Sequence, residues 1–242
     1  IMMSTENLKI KIFADGADIE SIKKLDSNPI IKGFTTNPSL MKKAGIRDYK
    51  IFSQEVLKMV GSKPVSLEVF SDELSEMEKQ ANEIASWGEN VFVKIPITNS
   101  KNEKTLDLIK NLSNNKIKCN VTAIMTIAQV EEVYKVINEE TESIISVFAG
   151  RIADTGVDPI ETMKKSISIC KDKKNIEILW ASTREIINIF QADKIGTHII
   201  TVPHEILKKL SGIGKELNQL SLETVKMFLS DATNAGYKID TK

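Results

Sequence analysis

Lys94 stands in Val91-Phe92-Val93-Lys94-Ile95-Pro96, an otherwise apolar run. An ammonium among Val, Phe and Ile is costly to bury unless it is paired or neutral. Lysine is also the side chain that desolvation most usefully converts into an amine nucleophile. Two carboxylates end comparable runs: Asp15 closes Lys9-Ile10-Lys11-Ile12-Phe13-Ala14-Asp15, and Glu68 sits in Val65-Ser66-Leu67-Glu68-Val69-Phe70. Asn37, Asn120 with Thr122, Ser146 and Ser182 end four further runs. Any one of these has an ordinary structural role as a cap, a turn former or a small packing residue. Together, an amine, two carboxylates and several neutral hydrogen-bonding groups suit carbonyl chemistry. The amine adds to a ketone or aldehyde and loses water to give an iminium. The iminium is an electron sink for breaking the adjacent C–C bond, and the carboxylates move the protons. Arg151, and Ser182 with Arg184, follow two of the later runs, and the arginine fork fits phosphate oxygens.

The elements that position these groups alternate. Strands are expected over 9–15, 30–37, 65–70, 91–96, 117–124, 143–150, 176–182 and 198–203, each followed by a helical pattern. Among the helices, Tyr49 to Val60 carries apolar residues at Ile51, Phe52, Val56, Leu57 and Val60. Ser71 or Asp72 caps the next helix, Thr126 caps a later one, and Pro159 falls in a first helical turn, where its missing N–H does no harm. Alternating β and α segments imply a parallel sheet. Eight units of this size close into a (β/α)8 TIM barrel with a C-terminal helix, an α/β fold. The expected organisation is one domain over 1–242, with the barrel over about 8–210 and a C-terminal helical segment over about 211–236. An open doubly wound sheet is the weaker alternative, because no GxGxxG follows the first strand. In a barrel the site lies at the C-terminal ends of the strands. Period-two alternation turns Ser66, Glu68 and Phe70 inward in strand three, Phe92, Lys94 and Pro96 in strand four, and Asn120 and Thr122 in strand five. The same alternation puts Trp180 on one face with Ser182, where the indole would narrow the site. The helix over Ser221 to Ala232 sets Leu222, Val225, Phe228 and Leu229 on one side, which can pack on a neighbouring copy or on its own barrel.

Bulk properties narrow the function classes. Lys+Arg and Asp+Glu both number 33, so the formal net charge is zero. That disfavours a broad electrostatic footprint for nucleic acid or an anionic membrane. Cys119 and Cys170 do not make a disulfide framework and read as reduced thiols, which suggests a cytoplasmic protein. No His/Cys cluster suggests a metal, no apolar run approaches the ~20 residues of a membrane span, and the N-terminus lacks signal-peptide character. No cofactor is expected, and neither a membrane nor a nucleic-acid partner. His198 and His204 read as structural.

The runs quoted above, with Thr35-Thr36-Asn37-Pro38-Ser39-Leu40, Asn120-Val121-Thr122, Ser146-Val147-Phe148-Ala149-Gly150-Arg151 and Ala181-Ser182-Thr183-Arg184, resemble the transaldolase family of class I Schiff-base aldolases. The resemblance spans about residues 10–205 and extends to the small subgroup that includes fructose-6-phosphate aldolase. It implies that Lys94 forms the Schiff base and that Asp15 takes the C4 hydroxyl proton. It implies that Glu68, through a water held with Thr122, shuttles protons during imine formation and hydrolysis. Asn37 and Ser146, with Asn120, would hold the dihydroxyacetone unit, and Thr35 and Phe148 would be further substrate-binding residues. Arg151, Ser182 and Arg184 would hold the phosphate. The implied reaction moves a dihydroxyacetone unit from sedoheptulose 7-phosphate or fructose 6-phosphate to an aldose phosphate in the pentose phosphate pathway, without a metal, in a homo-oligomer. The alternative is aldolase-type cleavage of fructose 6-phosphate, which releases dihydroxyacetone. That sister group has glutamine at the Glu68 position and tyrosine at the Phe148 position. Gly16, Val147 and Trp180 depart from the family pattern, which has a hydroxyl residue, proline and a small residue at these places.

Overall fold

The computed structural model describes residues 4–242, so the first three residues of the expected domain lie outside it. Eight parallel strands close into a barrel in chain order: β1 (Lys11–Asp15), β2 (Ile31–Thr35), β3 (Val65–Glu68), β4 (Val91–Pro96), β5 (Cys119–Ile124), β6 (Ser143–Val147), β7 (Ile176–Trp180) and β8 (Ile199–Pro203). The expected (β/α)8 architecture is therefore the observed one. The outer ring comprises α1 (Ile19–Asp26), α2 (Pro38–Lys43), α3 (Tyr49–Val60), α4 (Leu74–Ala85), α5 (Leu106–Asn114), α6 (Ile127–Val136), α7 (Ala149–Asp154), α8 (Pro159–Cys170) and α9 (Ile187–Lys194). After β8 come the short α10 (His204–Leu207), a 3₁₀ turn and the C-terminal α11 (Leu217–Asn234).

The helix starts follow from capping chemistry. Asp18, Asn37, Asp48 and Asp158 each accept a backbone N–H of the first turn of α1, α2, α3 and α8. Thr126 and Gln129 cap α6 reciprocally, as the sequence suggested. At α4 the expected cap is displaced. The helix begins after Glu73, which makes no side-chain cap bond, and Ser71 Oγ accepts the Glu73 N–H one residue earlier. Two helices were not foreseen. Both α2 and α7 are six-residue turns packed into βα loops, too short to show a helical period.

Strand alternation divides the core in two. Val65, Leu67, Val91, Val93, Ile95, Cys119 and Val121 join the larger cluster between barrel and helices. Phe13, Phe92, Ile144, Leu179, Ala181 and Ile199 form the smaller cluster inside the barrel. A Cβ at Gly33 would lie 2.6 Å from the Phe13 ring, so the glycine makes room for this inner side chain. Inner apolar packing plugs the middle of the barrel and leaves the polar positions to its C-terminal mouth. The C-terminal helix does not pack on its own barrel. Leu222, Val225, Phe228 and Leu229 are exposed, Phe228 at 63%. Among the described residues no helix is long and apolar enough to cross a membrane.

Candidate active site

Register places the reactive groups side by side. Glu68 on β3 pairs with Lys94 on β4, and Lys94 pairs with Asn120 on β5. Each inward residue thus faces the next strand's inward residue at the same height. Lys94 is half-buried, and its Nζ donates to the Thr36 carbonyl oxygen at 2.5 Å. That carbonyl is available because the chain leaves the sheet after Thr35, on its way to the cap of α2. The same residue holds Glu68, since Thr36 Oγ1 donates to Glu68 Oε2 at 2.8 Å. Thr36 therefore fixes both the amine and one carboxylate.

Glu68 is 5% exposed, and its second oxygen, Oε1, is buried without a hydrogen-bond partner. Burial pushes its pKa above the usual glutamate range, and the neighbouring Lys94 charge and the Thr36 hydroxyl only partly offset this. Asp15 sits at the end of β1, beside Thr35 and Pro203 in the ladder. Desolvation raises its pKa, against the opposing pull of Lys94 and of the Thr35 hydroxyl, which donates to Asp15 Oδ1 at 3.0 Å. Two carboxyl groups held toward their protonated forms beside one amine are placed to pass protons to and from a group bound there.

A second polar thread is more fully buried. Ser146 Oγ donates to Asn120 Oδ1 at 2.6 Å, and Asn120 Nδ2 donates to Ser66 Oγ at 3.0 Å. The three side chains lock one another across β6, β5 and β3, which orients the Asn120 amide under the mouth. Thr122 lies beside Pro96, one inward step above Asn120. Phe148 follows β6 and packs on the inner apolar cluster, so its ring lines the barrel. Asn37 is tied by its role as a cap, with Oδ1 accepting the Leu40 N–H at 2.9 Å.

The arginine side of the mouth is built by α7 and the segment after β7. Gly150 lies in the first turn of α7, and its N–H points at the Ala181 carbonyl oxygen at 3.4 Å. Ser182 takes φ +63°, a left-handed conformation unusual for a serine. The inward face of β7 runs through Leu179 and Ala181, which leaves Trp180 on the face toward the helices. The expectation that Trp180 narrows the mouth is therefore corrected. Trp180 is 2% exposed and belongs with Ile176 and Ile178 to the cluster outside the barrel, while Leu179 points in. Its indole faces a cleft of about 180 Å³ between α7, α8 and α9. Arg151 is exposed on α7. Arg184 Nη2 is 2.6 Å from Asp154 Oδ2, so one of the two arginines is already engaged with a carboxylate.

The departure at Gly16 has a structural reason. A Cβ there would lie 2.5 Å from both Cε1 and Nε2 of His204, whose ring fills the space a side chain would take. Burial lowers the pKa of His204, with the Asp18 carboxylate opposing and Lys208 assisting. His198 has an architectural partner, since its Nδ1 accepts the Ile178 N–H at 2.8 Å.

Sequence reasoning gave no role to three side chains that complete this site: Thr36, Ser66 and Thr201. Thr36 was visible only as part of a motif. Ser66 shares the inward face of Glu68, so the alternation that found Glu68 had already marked it. Thr201 stands at the inward phase of an apolar strand, between Ile199 and Pro203, and its hydroxyl meets that of Thr35.

A closed eight-stranded α/β barrel with an amine and two desolvated carboxyl groups at its C-terminal mouth defines an aldolase-like arrangement. The family described as Transaldolase/Fructose-6-phosphate aldolase matches residues 12–241. A protein from Clostridium kluyveri described as "Probable transaldolase" is 37% identical over 202 residues, covering 83% of this chain and 89% of its own. A "Probable transaldolase" from a Thermoanaerobacter species is 33% identical over 231 residues, covering 95% of this chain and 100% of its own. The tryptophan synthase A-subunit of Pyrococcus furiosus shares the fold alone, with a TM-score of 0.58 at 11% identity over 92% of this chain and 98% of that one. The chain belongs to the transaldolase/fructose-6-phosphate aldolase family and is an enzyme of that family.

Proposed function

We propose that this enzyme transfers a dihydroxyacetone unit from a ketose phosphate, sedoheptulose 7-phosphate or fructose 6-phosphate, to an aldose phosphate through a Schiff base on Lys94. The observation that carries this reading is the placement of Lys94 beside the buried Glu68, with Asp15 close enough to feel its charge, on inward positions of one barrel mouth. The Lys94 amine adds to the C2 carbonyl. Glu68, whose burial keeps it protonated at unusually high pH, gives its proton to the departing hydroxyl through a water positioned with Thr122, and water leaves. Asp15 then accepts the C4 hydroxyl proton while the C3–C4 electron pair moves into the iminium. An aldose phosphate departs and an enamine stays on Lys94. An acceptor aldehyde enters, the enamine carbon attacks it, and Asp15 returns its proton to the new alkoxide. Hydrolysis of the iminium frees the ketose product and the amine.

Asn37, Thr35, Asn120, Ser146 and Phe148 are assigned to the dihydroxyacetone subsite. Arg151, Ser182 and Arg184 are assigned to the phosphate, Arg184 by exchanging its Asp154 partner for the ligand. Sugar phosphates are thus the partners in this reading, in the non-oxidative pentose phosphate branch of the cytoplasm. The unpartnered apolar residues of α11 favour a homo-oligomer. The second reading, cleavage of fructose 6-phosphate with release of dihydroxyacetone, shares every step up to the enamine. The carboxylate at position 68 favours transfer over this alternative.

Borohydride trapping with fructose 6-phosphate, read by peptide mass spectrometry, tests the core of the proposal. The expected result is a reduced three-carbon adduct on Lys94, absent in Lys94→Met. An adduct on another lysine, or none, would sink the assignment. Product analysis with and without erythrose 4-phosphate or glyceraldehyde 3-phosphate separates transferase from aldolase.

A further inference from the structure

The inward face of β8 is apolar at Ile199 and closes with Pro203, yet it carries a hydroxyl at Thr201, 5% exposed. Burying a hydroxyl is unfavourable unless it is bonded, and valine, of the same shape, would suit a strand equally well. The side-chain partner of Thr201 is Thr35 Oγ1 on β2, itself 2% exposed and bonded to Asp15 Oδ1. The direction of this chain follows from the chemistry of its end. An ionised carboxylate only accepts, and a threonine hydroxyl has one proton. With that proton on Asp15, the bond between the two threonines must be donated by Thr201.

We propose that Thr201 is a positioning residue for Asp15, its hydroxyl donating to Thr35 Oγ1 and so committing the single Thr35 proton to the Asp15 carboxylate. Hydrogen bonds in series polarise one another, so the outer donor strengthens the inner bond. The arrangement favours the ionised form of Asp15, the form that accepts the C4 proton, against the desolvation that opposes it. The inference rests on the reading of Asp15 as the proton acceptor. The other charges that act on Asp15 are Lys94 from β4 and Glu68 from β3.

The test is the acid limb of kcat/KM for fructose 6-phosphate with erythrose 4-phosphate as acceptor, measured in Thr35→Val, Thr201→Val and the double variant. Thr201→Val is expected to move the limb up by about 0.5 pH unit, and Thr35→Val by about 1 or more. Because Thr201 acts only through Thr35, the double variant should match Thr35→Val. Thr201→Ser should restore the wild-type limb, and Thr201→Ala should repeat the valine result if the valine variant packs poorly. An unmoved limb in the valine and alanine variants, or additive shifts in the double variant, would overturn the inference. An Asp15→Asn arm keeps the two readings apart. If Asp15→Asn still transfers, the Asp15 reading fails. If it loses transfer while Lys94 still traps substrate, that reading stands and the threonine results bear on Thr201 alone.

Discussion

Replacing Gly150 by alanine should disable the arginine side of the mouth while sparing the amine. A Cβ on Gly150 would lie 2.8 Å from the Ser182 carbonyl carbon, 3.1 Å from Ser182 Cβ and nearer still to the carbonyl oxygen. Ordinary contacts begin near 3.4 Å, so the Ser182 backbone must retreat by more than about 1 Å. It has little freedom to do so. Ser182 already occupies the left-handed region at φ +63°, and the next residue is anchored by Thr183 Oγ1, which donates to the Thr201 carbonyl oxygen at 2.7 Å. Overpacking against backbone of this kind costs about 2–3 kcal/mol, equivalent to a drop of about 5–10 °C in Tm for a domain of this size. A displacement of about 1 Å in a group that positions substrate lowers kcat/KM by about 10²-fold. The assay compares fructose 6-phosphate with unphosphorylated fructose, alongside borohydride trapping and thermal unfolding. The loss should fall mainly on the phosphorylated substrate, as a raised KM, while the Lys94 adduct still forms at high substrate concentration. A Gly150→Ala protein with unchanged KM for fructose 6-phosphate would refute the placement of Ser182 and Arg184 at the phosphate. An equal loss on both sugars would show that the barrel mouth as a whole had moved.

Two further outcomes follow from buried groups. The folded-state pKa of Glu68 is raised above its ordinary value of 4.5, so its contribution to stability is fully present below that value and is lost as pH rises through the folded value. Glu68→Gln cannot ionise and should therefore unfold at higher temperature than the wild type at pH 8, with the gap closing toward pH 4.5; calorimetry across that range checks it, and a constant gap would contradict it. Gly16→Ala should destabilise the protein by about 1–3 kcal/mol through collision with the His204 ring, and His204→Ala in the same chain should restore much of the loss. Urea unfolding of the two single variants and the double measures the coupling, and additive losses would show that ring and Cβ do not meet.

The residues most legible in the sequence are those whose position depends on local periodicity. Period-two alternation turned Glu68, Lys94 and Asn120 inward because successive side chains of a strand must point to opposite faces. The repetition of strand and helix implied a parallel sheet because a parallel connection needs a crossover. The helix start at Thr126 was legible for the same local reason. Thr126 can reach its own first-turn N–H groups whatever the rest of the chain does.

Where the outcome depended on residues far apart in the chain, only the tertiary structure decided it. The expectation for Trp180 failed because alternation gives two faces and does not say which one is inward, and in β7 the inward face falls on Leu179 and Ala181. The Glu68–Lys94–Asn120 alignment is a matter of register between strands, which inward phase restricts but does not choose. Thr36 serves Lys94 and Glu68 from 58 and 32 residues away, and Thr201 reaches Thr35 across 166. Gly16 reads as a lost hydroxyl until the His204 ring is seen in its place. The sequence by itself determined the barrel, the amine and the two carboxylates, since these follow from local pattern and residue chemistry. Barrel closure decided which hydroxyl stands beside which carboxylate, because it brings β1, β2 and β8 together and no periodicity carries information across that seam.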